Sequence, residues 1–448
     1  MDLISLVPAF GGFLVTIVAF VVALSVIVAV HEYGHYIVGR WSGIHSDIFS
    51  LGFGPVLFSK TDKRGTKWQV AAIPLGGYVK FRGDKNLASQ ADTAYVSSAS
   101  SNERRSSLSG APLWARSATV AAGPCFNFAL SILMLAGLSI WQGQMKYPLT
   151  IDTLHPMPYE HGLKSGDVLI GIDGKNFPSF DEPEAIFEFW GNLSGSNSHE
   201  YKIERNGKLL AVVGPNVNPP RVRNVVPRSA AADVGLREGD FILKVEGDHI
   251  TTFSDLRTYV EASNGGPLEI SFWRDGKEQT VILSPKSVDE PNPNGGFNKQ
   301  WRIGVIGGGL FFDPVVAPLN PIEGFMIGFS GTWSIMSGSV SGLYHIITGQ
   351  ISSCNLSGPI GIAETSGQMV RQGSVNFLWF IAVMSAAIGM INLFPIPVLD
   401  GGHLVFFAYE AVVGRPPNET ILNALMMAGM VMILSFMSFA LANDIICP

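Results

Sequence analysis

The feature that most constrains this chain is an uncharged run from Leu3 to Val30, 28 residues that lead directly into His31-Glu32-Tyr33-Gly34-His35. A helix needs roughly 20 predominantly apolar residues to cross the hydrocarbon core of a bilayer, so a transmembrane span is expected over residues 3–38. A secretory signal would begin with a basic stretch and carry a shorter apolar core. This run follows Met1-Asp2 and is read as retained. It ends on an H-E-x-x-H sequence. Residues i and i+4 share a helix face, so His31 and His35 can hold one metal ion while Glu32 stands beside a coordinated water. Ionisable groups at membrane depth are costly and are by default functional, paired or metal-bound. The competing reading, in which both imidazoles merely meet water and headgroups, ranks below the metal site.

Three further uncharged runs cover Ser117–Gln144, Gln372–Leu399 and Thr420–Asn443. They predict spans over residues 117–142, 372–403 and 420–443. A Gly- and Ser-rich stretch from Glu323 to Thr348 is read as an amphipathic helix on the membrane surface, within a segment 311–371. A fifth span is the less favoured reading. With 47% hydrophobic and 15% charged residues and a mean hydropathy of +0.28, the chain is too apolar for an ordinary soluble enzyme and too polar for spans alone. A membrane portion joined to a soluble portion is expected.

Charge sets the orientation, because short cytoplasmic segments carry an excess of Lys and Arg. Eleven Lys/Arg against five Asp/Glu between Arg40 and Arg116 place that segment in the cytoplasm. Seventeen against twenty-four between Gln142 and Glu323 place the middle region on the opposite side, together with both termini. The Ser-rich stretch Leu87–Ala111 reads as a mobile cytoplasmic loop. No basic block of the kind that tracks nucleic acid is present. Cys125, Cys354 and Cys447 lie far apart without a C-x-x-C, which supports neither a disulfide framework nor a thiolate zinc site.

The middle region repeats itself. Gly162-Leu163-Lys164-Ser165-Gly166-Asp167-Val168-Leu169 recurs as Gly235-Leu236-Arg237-Glu238-Gly239-Asp240-Phe241-Ile242, and Phe180 has its counterpart in Phe253. A Gly-Asp turn, a short apolar strand and an Asp-Gly or Glu-Gly turn describe a small sheet-rich module. The pattern resembles the PDZ domain, which implies modules at 145–219 and 220–310 that bind peptide ends by strand addition; the alternative is two modules without a ligand.

A catalytic zinc needs a third protein ligand and an open position. Asn392-Leu393-Phe394-Pro395-Ile396-Pro397-Val398-Leu399-Asp400-Gly401-Gly402-His403 offers one. Two prolines free backbone groups, which in lipid is tolerated only where protein or a water-filled cavity satisfies them. An acid at such a break suits a buried metal, and Asp400 is preferred over His403.

H-E-x-x-H on the first span, N-x-x-P-x-P-x-L-D-G on the third and PDZ-like modules between spans together resemble the site-2 protease family of intramembrane zinc metalloproteases. The resemblance extends over essentially the whole chain. It implies a polytopic α-helical membrane protein with about four transmembrane helices and a membrane re-entrant β-sheet, plus two tandem periplasmic PDZ domains. It implies zinc held by His31, His35 and Asp400, with Glu32 as general base. It also assigns Asn392, Pro395 and Pro397 to substrate binding, with Gly52, Phe53 and Gly54 in a re-entrant β region over 48–82. Ala121-Ala122-Gly123-Pro124 and Asn127 begin the second span as in the family, where close packing against the catalytic helix is the modest reading. The membrane domain is then assembled from residues 1–144 and 372–448. Implied substrates are single-span proteins such as an anti-sigma factor already cut once, and remnant signal peptides, in a bacterial inner membrane under envelope stress. A zinc transporter would show repeated spans, whereas only the soluble modules repeat. A non-enzymatic PDZ scaffold would not need intact His31, Glu32, His35 and Asp400.

Overall fold

A computed structural model describes residues 6–84, 99–178, 189, 193, 195–196, 198–292, 297–307 and 309–446. Phe180, Cys447 and residues 87–98 of the Ser-rich stretch lie outside the described residues; the rest of that stretch is not simply a loop, since it carries a short helix, Ser101–Arg105, capped by Ser100 and Glu103. The chain divides into two compact units. One comprises residues 1–138, 321–349 and 353–448, the other 139–320 and 350–352.

Among the described residues the longer helices are α1 (Leu6–Trp41), α2 (Leu113–Gln142), α3 (Phe253–Ala262), α4 (Pro321–Ile347), α5 (Pro359–Arg371), α6 (Ser374–Asn392), α7 (Asp400–Val413) and α8 (Glu419–Ile446). Four of them, α1, α2, α6 and α8, are long and apolar enough to cross a membrane. The third is shorter than the 372–403 expected. It stops at Asn392, and the chain turns through residues 393–399 before Asp400 opens a separate helix, α7. Pro395 and Pro397 cannot continue a helix; the carbonyl that Pro395 would orphan, Ile391 O, accepts from Phe394 N–H at 3.0 Å, and tight turns follow, with Ile396 N–H to Phe394 O at 2.7 Å and Leu399 N–H to Ile396 O at 2.8 Å.

Small residues let the helices of this unit approach closely. Gly34 of α1 lies against the carbonyl of Ala122 in α2, where a Cβ would come within 2.6 Å of that oxygen. Gly328 of α4 packs on Ile132 and Ala136 of α2, and Thr332 Oγ1 meets Ser131 Oγ at 3.1 Å. The buried face of α4 is thus Gly324, Gly328 and Thr332, a one-turn repeat.

After α1 come two long antiparallel strands, β1 (Ser46–Thr61) and β2 (Lys67–Phe81), that fold back into four. Ser46–Leu51 pairs on one side with Gly77–Phe81 and on the other with Lys67–Val70, while Phe53–Thr61 continues outward along Lys67–Ile73. The bend falls at Gly52, with φ +89 and backbone oxygens of Ile73 and Ala71 within 3 Å of where a Cβ would stand. Asp62 holds the hairpin turn, accepting from the backbone N–H groups of Arg64 and Thr66 and from Trp68 Nε1 at 3.2 Å, and ties it to α1 by accepting from the Tyr36 hydroxyl at 3.5 Å. Trp68 packs in turn on Phe49 and Tyr36, the residue after His35.

The second unit holds two modules with matching four-stranded sheets. One runs Lys175–Asn176, Val168–Ile172, Ser198–Arg205, Lys208–Pro215; the other Asp248–His249, Phe241–Val245, Leu268–Arg274, Lys277–Leu283. In each, the Asp of the repeated Gly-Asp turn is buried and forked by an arginine: Arg205 Nε to Asp167 Oδ1 at 2.6 Å, and Arg274 Nε to Asp240 Oδ1 at 2.6 Å. The same arginines close onto the carbonyls of Gly162 and Gly235.

The modules do not simply follow one another. Phe312–Pro314 returns to pair antiparallel with Ile151–Leu154, and Phe311 and Phe312 are fully buried in the first module beside Ile151, Leu169 and Tyr201. The second module is inserted into the first, and 311 does not open a membrane-surface segment. The repeated motif marked only the contiguous half of each module, whereas burial of two aromatic side chains selects the distant strand.

Cysteine also departs from expectation. Cys354 is disulfide-bonded, whereas Cys125 is a free thiol. The Cys354 region is held to the end of α8: Asn443 Nδ2 donates to Ser353 O at 2.7 Å, and Asp444 accepts from Gly358, Ile360 and Gly361 at the start of α5.

Candidate metal centre

His31, His35 and Asp400 converge. The last turns of α1 carry both histidines on one face, and α7 presents Asp400 as its first residue. His31 Nε2 lies 3.2 Å from His35 Nε2, Asp400 Oδ2 lies 3.2 Å from His31 Nε2, and it lies 3.5 Å from His35 Nε2. Two imidazole nitrogens and a carboxylate oxygen in a near-equilateral triangle are placed to hold a cation between them. Ligands about 2.0–2.1 Å from a tetrahedral zinc stand roughly 3.3–3.4 Å apart, which matches these edges. Asp400 Oδ2 is buried without a hydrogen-bond partner, as an oxygen reserved for a metal would be. Among the described residues these three form the one His/Cys/Asp/Glu group able to hold an ion. His403 is not part of it.

The outer contacts decide which nitrogen of each ring faces the centre. His35 Nδ1 stands 2.8 Å from the carbonyl of Thr119, so Nδ1–H donates there and Nε2 keeps its lone pair. His31 Nδ1 stands 3.2 Å from the side-chain amide of Asn127, whose Oδ1 is a buried oxygen without a partner. Turning that amide over places the oxygen on Nδ1–H, satisfies both groups and leaves Nε2 of His31 free as a ligand. Asn127 itself is fully buried, and its backbone carbonyl accepts from Ser385 Oγ on α6. Both orienting groups belong to α2, so this helix determines the pose of the two imidazoles.

Gly123 gives the rings their space. A Cβ there would stand 2.3 Å from His35 Nε2 and 2.8 Å from His31 Cε1. Sequence reasoning gave residues 121–124 and Asn127 only a packing role. The signal that could have raised them is position: a Gly and an Asn on an apolar span that must lie beside ionisable groups.

The remaining expected residues lie on α1, on the two-stranded sheet, at the end of α6 and in the turn before Asp400. Glu32, half-buried, lies next to the strand Gly77–Phe81: a Cβ on Gly77 would meet Glu32 Cγ at 3.2 Å. Gly52 is buried at the sheet's bend, Gly54 is exposed, and Phe53 is stacked on Tyr78 with ring centroids 6.0 Å apart. Asn392 closes α6 half-buried, with Pro395 exposed and Pro397 half-buried in the turn leading to Asp400. Tertiary contacts bring His31, His35 and Asp400 together, and the other seven expected residues are not part of that group.

The sequence matches the peptidase family M50 over residues 19–436. It is 36% identical over 445 residues to a protein of Agrobacterium fabrum named "Putative zinc metalloprotease", covering 98% of each chain. A protein of the same description from Rhizobium meliloti is 35% identical over 430 residues, covering 96% of each chain. Among solved structures, the PDZ domain of the SdrC-like protein from Listeria monocytogenes aligns with 20% of this chain and 85% of its own, at 20% identity and a TM-score of 0.16. With a His-Glu-x-x-His helix and a carboxylate as the third member of the group able to hold an ion, and with relatives that match over nearly the whole chain, this chain belongs to peptidase family M50, the site-2 protease family, and is a membrane zinc metalloprotease.

Proposed function

We propose that this protein is an intramembrane endopeptidase that cuts the transmembrane segments of single-span membrane proteins, with His31, His35 and Asp400 as zinc ligands and Glu32 as general base. The observation that carries the reading is where the ligand triangle forms. It lies near the C-terminal end of a helix long and apolar enough to span a bilayer, so a substrate bond must be brought into or beside the membrane to reach it.

Zinc, held by His31, His35 and Asp400, would supply a coordinated water of lowered pKa and a Lewis acid for the scissile carbonyl. Glu32 takes a proton from the attacking water and returns it to the leaving amine nitrogen. Thr119 and Asn127 keep both imidazoles in the tautomer that ligates through Nε2. A substrate helix satisfies its amides internally and must unwind before a carbonyl can approach. The outer edge of the sheet supports a holding role: Val56, Leu57 and Phe58 are exposed at 43%, 70% and 68% on a strand with a free side. An extended substrate can add there as a further strand. Gly52, Phe53 and Gly54 then shape the bend of that edge, and Asn392, Pro395 and Pro397 bind the substrate backbone from the Asp400 side.

The modules of the second unit are two PDZ domains on the non-cytoplasmic face, where they exclude bulky ectodomains or bind a peptide end left by an earlier cut. Both termini lie on the same face of a bacterial inner membrane. The excess of Lys and Arg between residues 40 and 116 supports this orientation. So does the Cys354 disulfide, since disulfides persist in oxidising compartments and this one lies at the level of the α8 C-terminus. Substrates of this geometry are a pre-cut anti-sigma factor or remnant signal peptides, and release of the cytoplasmic fragment starts an envelope-stress response.

The test is cleavage of a tagged single-span reporter without an ectodomain, by the intact chain and by Glu32→Gln in detergent, with zinc measured on both. The parent cuts, and the variant keeps zinc without cutting. A variant that cuts as well as the parent refutes the general-base assignment, and a zinc-loaded parent that cuts no single-span reporter refutes the intramembrane reading.

A further inference from the structure

The third ligand sits on an unusually free helix. Beyond Gly401 and Gly402 in its first turn, α7 buries no residue. Those two glycines seat the helix start against the carbonyls of Leu393, Phe394 and Ile396. At the other end, Glu410 is gripped by Arg116, with Nη2 to Oε1 at 2.6 Å and Nη1 to Oε2 at 2.9 Å. The guanidinium is itself fixed: its Nε donates to Ala111 O at 3.1 Å, and its carbon lies 5.2 Å from the centre of the Phe407 ring. The two side chains are only 14% and 18% exposed.

A forked, charge-assisted pair of this kind is directional as well as strong, and at this degree of burial salt screens it little. Ten residues at 1.5 Å rise put the grip about 15 Å along α7 from Asp400. Pivot and grip together define the helix axis, and hence where the Asp400 carboxylate points. Arg116 stands one turn before Thr119, whose carbonyl orients His35. The helix that orients the two imidazoles therefore also holds the helix that supplies the carboxylate.

We infer that Arg116 and Glu410 are a positioning pair for the metal, holding α7 so that Asp400 reaches both imidazoles. The inference rests on His31, His35 and Asp400 being the zinc ligands. Neither residue touches the reacting atoms. Loosening the pair lets α7 swing about its glycine seat, and the third edge of the triangle opens.

The experiment is zinc affinity by chelator competition on the full-length protein in detergent, with melting temperature measured alongside. Glu410→Gln and Arg116→Gln each lower zinc affinity by roughly 10–100-fold, the range for groups that orient a ligand. The exchange Arg116→Glu with Glu410→Arg recovers most of the loss. Glu410→Asp keeps the charge but shortens the reach; it gives an intermediate loss and serves if the neutral variants do not purify. Asp400→Ala is the reference. If Asp400→Ala loses the metal while the Glu410 and Arg116 variants bind zinc as the parent does, the pair has no positioning role and the ligand set stands. A drop in melting temperature with unchanged zinc affinity also overturns the inference. If Asp400→Ala itself binds zinc like the parent, the ligand set has failed.

Discussion

A Cβ placed on Gly123 would lie 2.3 Å from His35 Nε2, 2.5 Å from His35 Cε1 and 2.8 Å from His31 Cε1. Non-bonded carbon atoms are comfortable at about 3.5–4.0 Å, so Gly123→Ala must drive the His35 ring away by about 1 Å or more. The ring cannot slide freely, because its Nδ1 is anchored on Thr119 O and its α1 neighbour Gly34 is pressed on Ala122. A shift of that size is comparable to a third of the 3.2 Å edge between the two imidazoles. Misplacement by 1 Å costs on the order of 100-fold in catalysis, and zinc affinity should fall by at least as much. Helix stability should move the other way, since alanine is favoured over glycine inside a helix by about 1 kcal/mol. Gly123→Ala should therefore purify as a folded protein with a melting temperature within a few degrees of the parent, while losing zinc to a competing chelator and failing to cut a reporter. A variant with parental zinc affinity and parental cleavage would show that the imidazoles do not occupy the geometry described, and the assigned ligand triangle would fall with it.

Other consequences follow from single contacts. Asn127→Leu removes the acceptor that holds the His31 tautomer, so zinc affinity should fall roughly 10–100-fold in a chelator competition, with the protein still folded. In the second unit, burial pushes the Asp167 carboxyl up, but the Arg205 fork and the Lys164 amide outweigh it, and the group lies below its ordinary value. A carboxylate with a depressed folded pKa contributes stability that is complete above the unfolded value near 4 and is lost as pH falls through the folded one. The first module should thus loosen below about pH 4, read as rising amide exchange in residues 150–215 of the full chain. Asp167→Ala takes the carboxylate fork from Arg205, should weaken the first module at neutral pH and should remove that acid transition; exchange that stays parental would refute the assignment.

The pairing of the two histidines a single helix turn apart was legible because local spacing alone decides it: on any helix His31 and His35 share a face. The four spans were legible for a similar reason, since 18 or more uncharged apolar residues have few other destinations. The repeated Gly-Asp turn likewise announced two related modules. The sequence did not disclose Arg205 and Arg274, the partners of those aspartates, because they lie on strands whose spacing from the turn differs in the two copies.

Tertiary packing decided what depends on distant segments meeting. Asp400 reaches His31 across 369 positions of sequence, and its helix is separate from the span before it, since Pro395 and Pro397 end one helix and a Gly-Gly seat starts the next. Phe311 and Phe312 complete a module whose other residues precede them by a whole inserted domain, because a buried aromatic pair chooses its core by shape rather than by order. Gly123 and Asn127 look like ordinary span residues until α2 is laid against α1. Periodicity in a sequence records which face of an element is apolar; it does not record which element that face will meet, and the convergence of His31, His35 and Asp400, their outer contacts on α2 and the grip of Arg116 on Glu410 all arise at such meetings.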